Sequence, residues 1–252
     1  MLRKQILAGT RIPDRKPAGT ATFSLLSHLI NRGLITMPRL KAALLLSLAT
    51  LFAPAFAQGT NPARPGTVNY VEGHAALDGR AVSQNAIGNI AMNTNQTLST
   101  ADGRVEVLLT PGVFLRLDHD STLRMVSPDL THTEVALDRG RADLEVDALY
   151  KQNDLRVDEG TTQTKILKNG LYEFDGAARE LKVFDGKAAV SPAENAPRWT
   201  EVKGGHELAL TGDLTKPHDF NKDAAEDDLY NWSSLRADYL GRANASLLAA
   251  EY

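Results

Sequence analysis

The sequence predicts an all-β fold, a jelly-roll-like sandwich or β-roll of many short strands, followed by a C-terminal amphipathic α-helix. Three observations carry this expectation. Over residues 67–210 apolar and polar residues alternate in runs of a few residues, the period of a strand with one buried face. Asp-Gly, Asn-Gly and Pro-Gly pairs punctuate these runs, which is the chemistry of tight turns. After Pro217 the apolar spacing lengthens to three or four, the period of a helix face.

The elements follow in order. Residues 1–36 read as a mis-assigned start or a disordered leader. Residues 37–57 read as a signal peptide, opened by Met37 with Arg39 and Lys41 as its basic lead. Residues 42–52 are almost wholly apolar, and Ala55, Phe56 and Ala57 have the small-x-small form of a cleavage site. A cut after Ala57 would place the protein in the periplasm or outside the cell. Two other readings keep residues 1–36, as a long basic lead or as a cytoplasmic arm before a membrane anchor. An anchor needs about 20 apolar residues, and this run is shorter and broken by Ser47, Thr50 and Pro54. Cleavage is therefore the expected outcome, with no stable membrane span afterwards.

Residues 58–66 have no periodicity and form a flexible leader. Residues 67–215 form the β domain. Its expected core is Val107, Leu109, Leu115, Leu117, Leu137, Leu144, Val146, Phe174, Val183 and Val190, each on the apolar phase of its run. Residues 219–250 form the helix, with Asp219 or Asn221 as N-cap and Glu226, Asp227 and Asp228 near its positive end. Leu229, Trp232, Leu235, Tyr239 and Leu247 make one stripe, the candidate contact surface for a partner. An isolated helix of this length is marginal in water, so the stripe must dock on the β domain, on another protein or on a second copy.

Composition narrows the function. The chain has 28 basic and 31 acidic residues, but eight of the basic and one of the acidic lie in residues 1–57. The remainder holds 20 basic against 30 acidic residues, a net charge of about -10. Such a surface repels phosphate backbones, so nucleic acid is not an expected partner. The chain has no cysteine, which excludes disulfides, thiolate metal sites and a cysteine-linked lipid anchor.

Several stretches resemble the FecR domain of bacterial envelope proteins. In residues 98–125, LSTADGRVEVLLTPGVFLRLDHDSTLRM, a threonine-containing turn and a glycine lead into two alternating strands, a polar turn and a further strand. Residues 135–146, VALDRGRADLEV, place a glycine between two strands, and residues 169–190, NGLYEFDGAARELKVFDGKAAV, resemble the family's later hairpin. Gly204 and Gly205 fall where the family often turns. The likeness spans residues 68–210 and departs at Pro111 and Gly112, where Asp-Gly or Asn-Gly is commoner. The stretch 229–244 is similar to an extension of standalone FecR-domain proteins. The resemblance implies a periplasmic all-β module that signals through protein contacts. In the regulators that name the family, a cytoplasmic segment controls a sigma factor, and residues 1–36 are too short for that segment.

Sites for chemistry are few. Asp118, His119 and Asp120, with His132 a strand or two later, have the side chains of a metal site, but their place in the pattern is that of a solvated turn. Asp-Gly pairs at Asp78, Asp102, Asp175 and Asp185 lie too far apart for calcium-binding nonapeptides. Tyr70, Tyr172 and Phe174 could line a sugar platform, yet their apolar neighbours favour core packing. No Gly-x-Ser-x-Gly or His-Glu-x-x-His motif is present. The expected protein is non-catalytic, with no cofactor and no metal. It is a sensing or scaffolding module of the cell envelope with an envelope protein as partner, and its helix offers a route to self-association. Binding of a carbohydrate or surface polymer, and a membrane-tethered anti-sigma role, are the alternatives.

Overall fold

The computed structural model describes residues 64–192, 197–211, 214 and 216–250, with side chains as far as residue 243. The expected start, export segment and most of the flexible leader (1–36, 37–57 and 58–66) lie outside the described residues. The alternating runs form two sheets. The first has the order β1 (Thr67–Glu72), β5 (Arg104–Thr110), β6 (Val113–Leu117), β9 (Arg141–Val146), β12 (Gly170–Asp175), β13 (Glu180–Val183), β16 (His206–Ala209), β17 (His218–Asp219). The second has the order β15 (Thr200–Lys203), β14 (Lys187–Ser191), β11 (Thr162–Ile166), β10 (Asp154–Glu159), β8 (His132–Arg139), β7 (Thr122–Pro128), β4 (Thr97–Thr100), β2 (Ala75–Leu77), β3 (Arg80–Ala81).

From β5 onward the chain mostly lays down two strands in one sheet, then crosses to the other, the winding of a β-roll. β9 breaks the rhythm by entering the first sheet alone. The chain therefore returns to the second sheet with β10 parallel to β8, whereas the other named pairs of strands are antiparallel. All ten expected core residues are buried between the sheets. Packing of both inner faces into one apolar layer is what the period of two specifies.

Two details depart from the alternation. Val68 and Tyr70 share a phase in the sequence, but a bulge between them shifts the register against β5. Val71 takes the inward place and Tyr70 turns to the outer face. The glycine pairs also divide into two kinds. Asp78 with Gly79, and Pro111 with Gly112, close two-residue hairpins as expected. Pro111 followed by Gly112 at φ +79° is the type II arrangement, and an irregularity between Leu108 and Thr110 accompanies it.

Asp102 with Gly103, Asn169 with Gly170, and Asp185 with Gly186 instead carry the chain from one sheet to the other. The corner is tight there: a Cβ on Gly103 would lie 2.2 Å from the Glu72 carbonyl oxygen. Gly140, at φ +84°, makes the shortest crossing, as the single residue between β8 and β9. Glycine is needed at these points for close backbone approach.

The C-terminal segment differs from the single expected helix over 219–250. His218 and Asp219 pair with β16 as a strand. Asn221 caps a single turn, Lys222–Ala225, accepting from the Ala224 amide at 3.4 Å. The long helix is Asp228–Ala250. Its cap is Asp227, whose Oδ1 accepts from the amides of Leu229 at 3.0 Å and Tyr230 at 3.1 Å. Among the described residues no helix is long and apolar enough to cross a membrane.

Candidate functional site

The outer face of the first sheet carries a transverse row of ionisable residues. In cross-strand register Glu106 stands opposite Arg116, Arg116 opposite Asp143, Asp143 opposite Glu173, Glu173 opposite Lys182, and Lys182 opposite Glu207. Side chains directly opposed on one face are neighbours, so the row brings six ionisable residues into line across the sheet. Arg116 Nε donates to Glu106 Oε2 at 2.9 Å, and its Nη1 lies 2.6 Å from Glu145 Oε2. Lys182 donates to Glu173 at 3.0 Å, and Arg141 approaches the other oxygen of Glu173 at 3.3 Å. An outer sheet face is ordinarily wet, yet Glu106, Arg116, Asp143 and Glu173 are all buried.

The C-terminal helix covers this end of the face. Leu229 is fully buried, and Trp232 packs beside Tyr70 with ring centroids 6.2 Å apart. Polar bonds then fix the helix residue by residue. Trp232 Nε1 donates to Glu72 at 2.9 Å, Ser233 donates to Asp143 Oδ2 at 2.6 Å, and Arg236 donates to Glu106 at 3.0 Å. The Arg236 guanidinium also sits 3.9 Å from the centroid of the Tyr70 ring. Arg141 holds the capping Asp227 from the sheet side. Tyr230 meets Phe184 at 5.1 Å, and Phe184 meets Phe220 at 5.2 Å.

Burial acts unequally on these acids. It raises the proton affinity of Glu106, but Arg236 and Arg116 outweigh it and hold the carboxyl below its usual range. For Asp143 the charges of Arg116 and Arg141 pull the same way but do not outweigh burial. Burial, opposed by the Ser233 bond and reinforced by Glu173, pushes it up to about 7. Burial likewise raises Glu145 against the pull of Arg116.

The stripe read from the sequence divides in two. Leu229 and Trp232 face the sheet, while Leu235 is 52% and Tyr239 58% exposed. The side chain of Leu247 lies outside the described residues. Asp118 is a correction to the expected solvated turn. It is buried, accepting from Arg104 at 2.8 Å and meeting His119 at 2.9 Å. His132 is held elsewhere, on the second sheet, between Glu134 at 2.8 Å and Asp154 at 3.1 Å. The structure gives His132 no bond to the Asp118 triplet, and no group of three metal-binding side chains is found among the described residues. The aromatic trio is also divided: Tyr172 and Phe174 are in the core and Tyr70 lies under the helix. Core packing, expected for all three, holds for two of them, because the bulge before Tyr70 turns it outward.

Comparison with known proteins bears on the β domain. Residues 96–189 match the family model described as FecR protein. The chain carries a FecR domain. The match runs from β4 to β14, so the FecR domain includes the strands that bear Glu106, Arg116, Asp143, Glu173 and Lys182. Strands β1–β3 and the helix that covers the row lie outside the match. Two crystal structures of a protein described as a candidate anti-sigma factor, from Parabacteroides distasonis ATCC 8503, are similar at 14% identity with a TM-score of 0.40. The alignment covers 50% of this chain and 59% of that one, little more than half of that protein. No curated protein matches the chain. FecR-domain proteins are regulatory, which supports a sensing role.

Proposed function

We propose that this chain is an exported, non-catalytic FecR-domain protein of the cell envelope, which senses or scaffolds by binding a protein partner through its C-terminal helix. The observation that carries the reading is the division of the helix. Its first turns are pinned to the first sheet by Leu229, Trp232, Ser233 and Arg236, while Leu235 and Tyr239, four residues apart, stay more than half exposed. Residues at that spacing form one ridge. A helix held rigidly at one end presents such a ridge without the entropy cost of ordering it on contact. The ionisable residues beneath it bond to one another and to the helix, which suits a structural support. The divided aromatic trio removes the platform that a carbohydrate reading would use.

Export rests on the residues around Ala57. N-terminal sequencing of the mature protein should read Gln-Gly-Thr, and retention of residues 44–46 would show that the segment is not removed. The contact surface is tested by Leu235→Asp combined with Tyr239→Asp. The double variant should keep the unfolding free energy within the range of surface changes, about 0.5 kcal/mol per site. It should lose the partner cross-linked to wild type through a photoreactive residue at position 238. A partner retained at full yield would move the contact surface away from the helix. Sedimentation of both proteins shows whether that partner is a second copy.

A further inference from the structure

Asp143 is placed unlike every other acid of the row. Its Oδ2 accepts the Ser233 hydroxyl, its Oδ1 has no hydrogen-bond partner, and among the described residues it makes no salt bridge. The groups facing it come from each neighbouring element. β6 presents Arg116, bonded to Glu106 and Glu145 through Nε and Nη1, with a buried Nη2 that makes no hydrogen bond, Asp143 included. β12 presents Glu173, a like charge in direct register, with Lys182 of β13 beyond it. Its own strand adds Arg141, which is engaged by Glu173 and Asp227, and Glu145. The helix adds Ser233 and Tyr230, with Arg236 committed to Glu106. An ionised Asp143 would therefore be a desolvated charge beside a second carboxylate, the arrangement in which one of two acids keeps its proton.

We propose that the C-terminal helix is a proton-gated latch, closed over the sheet when Asp143 is protonated and loosened when Asp143 ionises. The coupling follows from linkage. Docking of the helix dries Asp143, and drying favours the neutral acid, so the proton in turn favours docking. The sign is fixed by the direction of the shift. A carboxyl raised to about 7 in the closed state, from an ordinary 3.8, gives its full contribution below pH 3.8. That contribution declines as pH rises from there to 7 and is gone above it. Glu106 and Asp118 are held below their usual range, so they ionise at lower pH than Asp143, and the Arg236 and Arg104 bonds are in place before Asp143 loses its proton. The latch is a property of this chain alone and is independent of which partner the exposed ridge meets. Its effect on that ridge is direct, because Leu235 and Tyr239 ride on the same helix.

Trp232 is the natural reporter, and the only other tryptophan, Trp199, is partly exposed and can be replaced. In the full exported chain carrying Trp199→Phe, Trp232 emission should shift to the red as the pH rises from 4 to 7 and stay constant above it, in a one-proton transition. The docking equilibrium should fall at least ~10-fold across that range, within the limit of about tenfold per pH unit for one proton. Asp143→Asn, which mimics the neutral acid, should abolish the transition and keep the blue emission. Glu173→Gln removes the opposing charge and should move the midpoint to lower pH. A wild-type chain with no transition overturns the latch. So does a transition unchanged in Asp143→Asn. If Asp143→Asn does not fold, the Glu173→Gln midpoint decides, and an unmoved midpoint overturns the proposal.

Discussion

Arg116→Ala should cost about 3–5 kcal/mol of stability in urea unfolding, the range for breaking a buried ion pair by removing one partner. Arg116 has a side chain only 1% exposed, and it is the cation between Glu106 on β5 and Glu145 on β9. Without it, Glu106 keeps Arg236 but remains desolvated, and Glu145, already pushed up by burial, loses the guanidinium that opposes the shift. The loss is electrostatic. Arg116→Met, which refills most of the volume, should therefore recover little of it. A cost for Arg116→Ala within ~0.5 kcal/mol would mean that water reaches the row and that the helix does not seal it. Recovery by Arg116→Met would instead assign the cost to packing.

The fold was more legible than the site, for a physical reason. Burial between two sheets imposes a period of two on each strand separately, so the ten core positions could be read one strand at a time. The ionic row needs the register between strands, which no single strand contains. Its trace is present nonetheless, as one charge between two core residues: Glu106 between Val105 and Val107, Arg116 between Leu115 and Leu117, Asp143 between Ala142 and Leu144. Glu173 and Lys182 repeat the pattern on β12 and β13. Each alone reads as an ordinary solvated face. Only pairing brings them into line, and only the helix dries them.

The turn chemistry was legible as turns and ambiguous as topology. An Asp-Gly pair satisfies the backbone of a hairpin and of a sheet-to-sheet corner equally, so Asp78 with Gly79 and Asp102 with Gly103 look alike until the strands are paired. Helical spacing identifies a face without saying how far the opposing sheet reaches along it. Leu229 and Trp232 find the sheet, and Leu235 and Tyr239 do not.

Leu144→Ala should cost about 2–5 kcal/mol, through lost apolar burial and the cavity left behind. Leu144 is fully buried at the centre of β9, with Leu115 of β6 and Tyr172 of β12 as its register neighbours. It is flanked along the strand by Asp143 and Glu145, which face the opposite way into the ionic row. β9 is also the strand that enters its sheet alone, following β8 and preceding β10 in the chain. Backbone hydrogen bonds to β6 and β12 fix its position, so the backbone has little freedom to collapse into a void at Leu144. Leu144→Met, which nearly conserves volume, should stay below about 1.5 kcal/mol. Leu171→Ala supplies the contrast one strand away: Leu171 lies opposite Glu145 on the outer face and is only partly buried, so its loss should be smaller. The cavity variant should leave the pH response of Trp232 unchanged in midpoint, because the apolar layer and the charged row lie on opposite faces of β9. A midpoint that moved with Leu144→Ala would show instead that the two faces communicate through the strand.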